Sequence, residues 1–311
     1  MVFPEAGRVE LRDVTLREPA ADEVVVETGF SSISSGTERL LFDGKLPGMP
    51  HLRYPLVPGY EAVGTVLSAG PDVREVGVGD QVFVGGSMCY TDVAAAFGGQ
   101  SSRLVKRAAQ VVPLFGIAPA QAPLLALAAT ALHGVRRLGD VAGERVAVLG
   151  LGAVGQLAAA FLTVRGAHVV VADRSRERLA DAVADEAYDV SGAPLETLLS
   201  APVAHVIEAT GVSAEIARCA RIMRPGGKIV LLSYYDVMST AFPDLFVKEA
   251  TLLVSREWAP EDLLAARDLA ASGAVDLAPL ARHVVPIERY QDAYQTAFGD
   301  PTILKVVLQW A

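Results

Sequence analysis

One short run limits the folds open to this chain more than any other. It is Gly150-Leu151-Gly152-Ala153-Val154-Gly155, a G-x-G-x-x-G spacing set between an apolar stretch at 145–149 (RVAVL) and a helix-forming stretch at 154–165. A strand that turns on glycines into a helix is the context in which this spacing holds a dinucleotide. Gly150 permits the tight turn, Gly152 leaves the backbone open to a pyrophosphate, and Gly155 lets helix and strand pack closely. Ala153 and Val154 open the helix, whose free N–H groups and partial positive charge would face the phosphates. The spacing alone is a weak signal; the flanking strand and helix patterns give it weight.

A second strand pattern, 168–172 (HVVVA), runs out at Asp173, about 20 residues past the glycines, where an acid accepts the ribose hydroxyls. A carboxylate there would repel a 2′-phosphate, so the pattern predicts NAD. Arg174 and Arg176 keep NADP open, because a nearby guanidinium can accommodate that phosphate. Asp173 or Ser175 could instead serve as a helix N-cap. A third marker, Glu208-Ala209-Thr210-Gly211, follows the strand pattern 203–208. Small residues at the end of a central strand leave room for a ligand, although a plain strand-to-helix turn would look similar. Ser233, closing the strand pattern 228–233, joins Ala209, Thr210 and Gly211 as a cofactor candidate.

From about residue 120 onward strands and helices alternate. Helices are expected at 123–138, 174–185 and 213–223, and a further strand at 251–255. Such alternation predicts an α/β fold with a doubly wound parallel sheet of the Rossmann type. Residues 1 to about 120 differ, with short strand patterns at 23–27, 62–67 and 81–84 punctuated by Gly, Pro and Asp, as expected of a compact antiparallel domain with long loops. The last fifty residues carry helix patterns at 260–272 and 290–298 and a strand pattern at 304–309. The expected division is a β-rich domain at 1–122, a dinucleotide-binding domain at 123–256 and a return segment at 257–311.

Composition narrows the function classes. The 311 residues are 51% hydrophobic, enough for a sizeable core. A net charge of -9 argues against nucleic acid as a partner. Two cysteines, Cys89 and Cys219, are too few for a disulfide framework or a structural zinc cluster, and they fit a reducing cytoplasm. The start of the chain has no basic segment followed by an apolar run, so no signal peptide is expected. The most apolar stretch, 146–164, carries Gly150, Gly152, Gly155, Gln156 and Thr163, which suits a strand–turn–helix better than a membrane span.

Several segments resemble the medium-chain dehydrogenase/reductase superfamily. Ser35-Gly36-Thr37-Glu38 is similar to the Cys-Gly-Thr-Asp signature of its zinc enzymes, and 58–64 (PGYEAVG) to their Gly-His-Glu segment. Gly79-Asp80-Gln81-Val82 and Pro225-Gly226-Gly227 match two of its turns. The stretches 31–41, 54–64, 124–131, 248–262 and 293–305 resemble more narrowly the branch that oxidises the 3-(1-hydroxyethyl) group of bacteriochlorophyllide-type macrocycles to acetyl. The resemblance implies a GroES-like first domain, a homodimer, and a hydride transfer to NAD from a small-molecule substrate that is large, flat and mostly apolar.

The departures matter as much. Ser35 stands where the metal Cys would be, Tyr60 where the metal His would be, and Ala126 at the third ligand position; the four-cysteine lobe is missing. Zinc needs thiolate, imidazole or carboxylate ligands, and among these positions only Glu61 offers one, so neither a catalytic nor a structural zinc is expected. By position, the resemblance makes Thr37 the hydroxyl that touches the substrate alcohol. Tyr60 could relay a proton, Glu61 could act as base or orienter, and Ser35 could hydrogen-bond the oxygen. The alternatives are a helix cap for Thr37, a core aromatic for Tyr60, and for Glu61 a pairing with an arginine. Arg178 is implied near the adenosine ribose and Lys305 at the pyrophosphate; either could be a solvated charge. His133, alone on an apolar helix pattern, reads as structural. In the irregular loop 42–54, Met49 and Leu52 are apolar enough to face a macrocycle or to be incidental. Two other functions remain open: a zinc-free quinone or enoyl reductase using NAD(P)H, and a non-catalytic dinucleotide-binding protein.

Overall fold

The run RVAVL forms the strand Arg145–Leu149, at the centre of a six-stranded parallel sheet. Here, as throughout, the structure is a computed structural model, and it describes residues 1–45 and 52–310. The sheet order is Glu186–Asp189, His168–Asp173, Arg145–Leu149, His205–Glu208, Lys228–Leu231, Thr251–Val254. Strand order therefore reverses beside Arg145–Leu149, and such a switch point opens a crevice at the carboxyl ends of the strands. The central strands read as near-continuous apolar runs because both faces are covered: Val146, Val148, Val169, Val170, Val171, Val206 and Ile207 are wholly buried. Ile216, Cys219 and Ala220 of the helix Ser213–Ile222 pack with Ile229 and Leu231.

Two differences from expectation have physical causes. The helix expected at 174–185 is only Arg176–Asp181, and the chain beyond it makes the unforeseen strand Glu186–Asp189. That strand, EAYD, is too short and polar to announce itself. It is held by parallel pairing with His168–Asp173 and by the Arg145 guanidinium, which donates to Glu186 Oε1 at 2.9 Å and Oε2 at 2.6 Å. The strand at 23–27 extends to Glu23–Ile33. Its second half, GFSSI, is polar enough to hide in sequence, yet Ser31 and Ser32 are buried.

The chain divides into two compact units, Met1–Ala126 with Asp276–Ala311, and Leu127–Val275. The helix Pro260–Ala271, which the sequence assigned to the return segment, thus belongs to the second unit, and the return starts at Asp276. In the first unit the sheet order is His283–Pro286, Val306–Gln309, Glu23–Ile33, Ala62–Ala69, Gln81–Val84, Val111–Pro113, with Arg103–Arg107 also pairing Glu23–Ile33. Pairing is antiparallel except between His283–Pro286 and Val306–Gln309. Register shifts at Val25/Val26 and Thr28/Phe30 let the long strand take Arg103–Arg107 along its first half and Val306–Gln309 along its second. Among the described residues, no helix is long and apolar enough to cross a membrane.

Candidate active site

In the second unit, the glycine turn has the geometry its spacing implies. Gly150 has φ +88°, a left-handed conformation that side chains resist. A Cβ on Gly155 would lie 1.9 Å from the Gly150 carbonyl oxygen, so only glycine allows the helix Ala153–Val164 to start this close to the strand. A Cβ on Gly152 would meet nothing within 4 Å: that backbone faces open space, as an approaching pyrophosphate requires. Asp173 reaches back to this turn. Its Oδ2 accepts from Leu151 N at 2.6 Å and its Oδ1 from Ser175 N at 2.8 Å. The Arg178 guanidinium is 3.9 Å from Oδ2.

Ser175, not Asp173, is the N-cap: its Oγ accepts from Arg178 N, and Asp173 ends its strand with the carboxylate turned to the glycine turn. Arg176 is engaged by Asp189 at 2.8 Å, and Arg174 is exposed. On the other side of the turn, Gly150 packs against Ala209 and Thr210. Thr210 is pinned by Glu208, whose Oε1 accepts from both the Thr210 N–H, at 2.8 Å, and its hydroxyl. Gly211 follows with φ +74°, and Ser233 Cβ lies 3.5 Å from where a Cβ on Gly211 would be.

The first unit gathers hydroxyls around Tyr60, the residue that the resemblance sets at a metal-ligand position. Ser34 Oγ and Tyr60 Oη share a hydrogen bond of 2.9 Å, and Thr37 Oγ1 is 3.4 Å from the same phenol. Thr37 opens the short helix Thr37–Phe42 and donates its N–H to Ser34 Oγ at 3.3 Å, so the capping hydroxyl is that of Ser34. Tyr60 and Thr37 are partly exposed. The Tyr60 ring packs edge-on against Phe97 at 5.2 Å. Burial pushes the Tyr60 phenol well above its ordinary range, with the nearby Glu61 charge adding to the shift. It therefore stays protonated at neutral pH, able to donate but not to serve as a phenolate base.

Glu61 is buried, and its partner is Lys305 rather than an arginine. Lys305 Nζ lies 2.5 Å from Glu61 Oε2, which also accepts from Ser32 Oγ, while Oε1 has no hydrogen-bond partner. Lys305 is thus a buried half of an ion pair, not a solvated charge. Ser35 is exposed, and it is its neighbour Ser34 that points inward. Sequence reasoning missed Ser34, Glu38, Gln100 and Tyr294. Two serines in succession give no sign of which one faces in; Glu38 stands in the motif at 35–38 with nothing to mark it as buried, and Gln100 and Tyr294 come from distant segments. Leu52 packs with the core around Phe3 and Leu41, while Met49 lies outside the described residues. His133 is structural: its Nδ1 is 2.6 Å from Asp262 Oδ2, and Arg136 donates to Asp262 Oδ1 at 2.5 Å. Asp262 in turn accepts from Ala259 N and fixes the start of its helix.

Comparison with known proteins agrees with this layout. The model of the alcohol dehydrogenase GroES-like domain matches residues 20–116, and that of the zinc-binding dehydrogenase matches 153–272. A protein of Cereibacter sphaeroides named 2-desacetyl-2-hydroxyethyl bacteriochlorophyllide A dehydrogenase is 38% identical, covering 96% of this chain and 94% of that one. A protein of the same name from Rhodobacter capsulatus is 37% identical over 95% and 92%. Among solved structures, an Escherichia coli oxidoreductase of unknown specificity superposes with a TM-score of 0.90 at 18% identity, covering 100% of this chain and 98% of that one. A short chain alcohol dehydrogenase from E. coli, solved with NADH, gives 0.87 at 22% identity, covering 99% and 98%.

The second family model carries zinc in its name, but the residues here do not fit that metal. Ser35, Tyr60 and Ala126 stand at the ligand positions that the resemblance implies, none of them a thiolate, imidazole or carboxylate, and the neighbouring carboxylate of Glu61 spends an oxygen on Lys305. Among the described residues, no three of His, Cys, Asp and Glu cluster so as to hold a metal ion. The chain belongs to the medium-chain dehydrogenase/reductase superfamily, as an alcohol-dehydrogenase-type oxidoreductase on the branch of the bacteriochlorophyllide A dehydrogenases.

Proposed function

We propose that this protein oxidises the 1-hydroxyethyl side chain of a bacteriochlorophyllide-type macrocycle to acetyl, with NAD as the hydride acceptor and without zinc. The observation that carries this reading is the 38% identity, over 96% of the chain, with a relative named for that substrate. The hydroxyl cluster supports the chemistry. NAD, when bound, supplies the acceptor for the hydride leaving the carbinol carbon. Thr37 and Tyr60 hold the substrate oxygen by hydrogen bonds, and its proton leaves to water beside these partly exposed side chains. Burial keeps the Tyr60 phenol protonated, the charge of Glu61, tied to Lys305 and Ser32, adds to that effect, and Ser34 and Thr37 orient the hydroxyl.

In the zinc enzymes a metal acidifies the alcohol. Here the substrate offsets that need, because the conjugated macrocycle delocalises the positive charge developing at the carbinol carbon. NAD is favoured over NADP by Asp173 at the glycine turn, and Arg176 is already paired with Asp189. Gly150, Gly152, Ala153, Val154 and Gly155 hold the pyrophosphate, with Arg178, Ala209, Thr210, Gly211 and Ser233 around the rest of the cofactor. A homodimer fits the second unit's edge strand, Thr251–Val254, beside exposed Phe242, Phe246 and Val247. Two free, buried cysteines suit a reducing cytoplasm.

The test is to incubate the purified protein with the hydroxyethyl pigment and NAD and to weigh the product. A pigment lighter by two hydrogens, with one NADH formed per pigment consumed, is expected. A pigment of unchanged mass with NAD demonstrably bound would overturn the assignment.

A further inference from the structure

Glu38 is a fully buried acid that no step above uses. Burying a carboxylate is costly unless its oxygens are hydrogen-bonded, and the three groups that donate to it, one main-chain N–H and two side chains, are neutral. Oε1 accepts from Ser34 N at 3.1 Å and from Gln100 Nε2 at 3.2 Å, and Oε2 accepts from the Tyr294 hydroxyl at 2.7 Å. Gln100 is itself fixed. Its Nε2 also donates to Ser32 O at 3.0 Å, and its Oε1 accepts from Ser31 Oγ, which in turn accepts from Trp310 Nε1. The carboxyl therefore ties the helix Tyr290–Gly299 and the loop at Gln100 to the main chain of Ser34. Ser34 is the residue whose Oγ holds both Tyr60 Oη and Thr37 N.

We propose that Glu38 is the positioning residue of the alcohol-binding hydroxyls: by clamping the Ser34 backbone it sets where Ser34 Oγ holds the Tyr60 phenol against Thr37. This rests on the reading of Tyr60 and Thr37 as the substrate-oxygen contacts. Glutamine can reproduce the contacts, accepting through Oε1 and donating through Nε2 to the Tyr294 oxygen. Alanine can reproduce none of them.

The test pairs a substrate-free readout with a kinetic one. The protein is labelled with tyrosine carrying 13C at the phenol carbon, and the Tyr60 signal is assigned with Tyr60→Phe. Glu38→Ala is expected to move the Tyr60 signal, Glu38→Gln to leave it in place, and Tyr294→Phe, which removes one donor of three, to move it partway. In turnover of the hydroxyethyl pigment, Glu38→Ala is expected to lower kcat about tenfold with KM for NAD unchanged, and Glu38→Gln to restore it. In a Tyr60→Phe background Glu38→Ala should then add little, because coupled residues are non-additive. A Tyr60 signal unmoved in folded Glu38→Ala or Tyr294→Phe would overturn the proposal. So would a full additional loss from Glu38→Ala in the absence of the phenol. Failure of the wild-type protein to turn over the pigment would strike the substrate assignment alone, since the tyrosine signal is read without substrate.

Discussion

In the proposed function the chemistry turns on Tyr60 and Asp173, one in each unit. Removing the phenol with Tyr60→Phe leaves the ring contact with Phe97 but takes away the hydroxyl that meets Thr37 and that the proposed function assigns to the substrate oxygen. Its kcat should fall roughly 10- to 100-fold with KM for NAD unchanged, the scale of a lost proton-handling group, measured by initial rates. Equal kcat would remove Tyr60 from the site. Asp173→Ala should raise KM for NAD about tenfold and narrow the gap between NAD and NADP in kcat/KM, since the carboxylate that would repel a 2′-phosphate is gone. The glycines, Asp173, Thr37 and Tyr60 were legible because each sits at a fixed offset in a local motif. Gln100 and Tyr294 were not, because they matter only through contacts between residues far apart in the chain, and Ser34 was not, because nothing in the pair Ser34-Ser35 says which hydroxyl turns inward. Lys305 was legible as a cation of interest, but its burial against Glu61 depends on how the last strand lies beside Glu23–Ile33.

At the scale of elements, the strand–turn–helix at 145–164 carries the proposed dinucleotide site, and Gly155 is its tightest point. Gly155→Ala would force a Cβ onto the Gly150 carbonyl oxygen, so helix and strand must part. Its thermal midpoint should drop by several degrees, and NADH affinity, read by fluorescence, should fall about tenfold or more. Retained affinity would mean that the close approach is unnecessary. The strands that form this crevice were readable because they are buried on both faces and so apolar throughout. Glu186–Asp189 and the second half of Glu23–Ile33 were not, since their sequences are polar and their pairing comes from neighbours already in place.

For the whole molecule, two buried acids give opposite and separable pH dependences. Burial raises the Glu38 carboxyl to about 7 from an ordinary 4.5, so its protonated form is favoured in the fold. Its contribution is complete below pH 4.5 and is lost as pH rises through 7, on the order of 3 kcal/mol. Glu38→Gln should flatten that limb in urea unfolding, and an unchanged limb would assign it elsewhere. The Arg17 hydrogen bonds hold the Glu23 carboxyl down at about 2, so its contribution is present above 4.5 and is lost as pH falls toward 2. At the edge strand, the proposed homodimer predicts that the wild type scatters light as a dimer and that Val254→Lys with Phe246→Glu scatters as a monomer while NADH affinity persists. A wild type already monomeric would end that reading.

Zinc-free, NAD-linked oxidation of a pigment alcohol is the proposed reaction. The deciding measurement strips the protein with a strong chelator, verifies by elemental analysis that no metal remains, and follows the absorption spectrum with NAD and the hydroxyethyl pigment. The expected result is undiminished turnover, with NADH appearing as the long-wavelength pigment band moves to the red. Activity that disappears with the chelator and returns with zinc would contradict it.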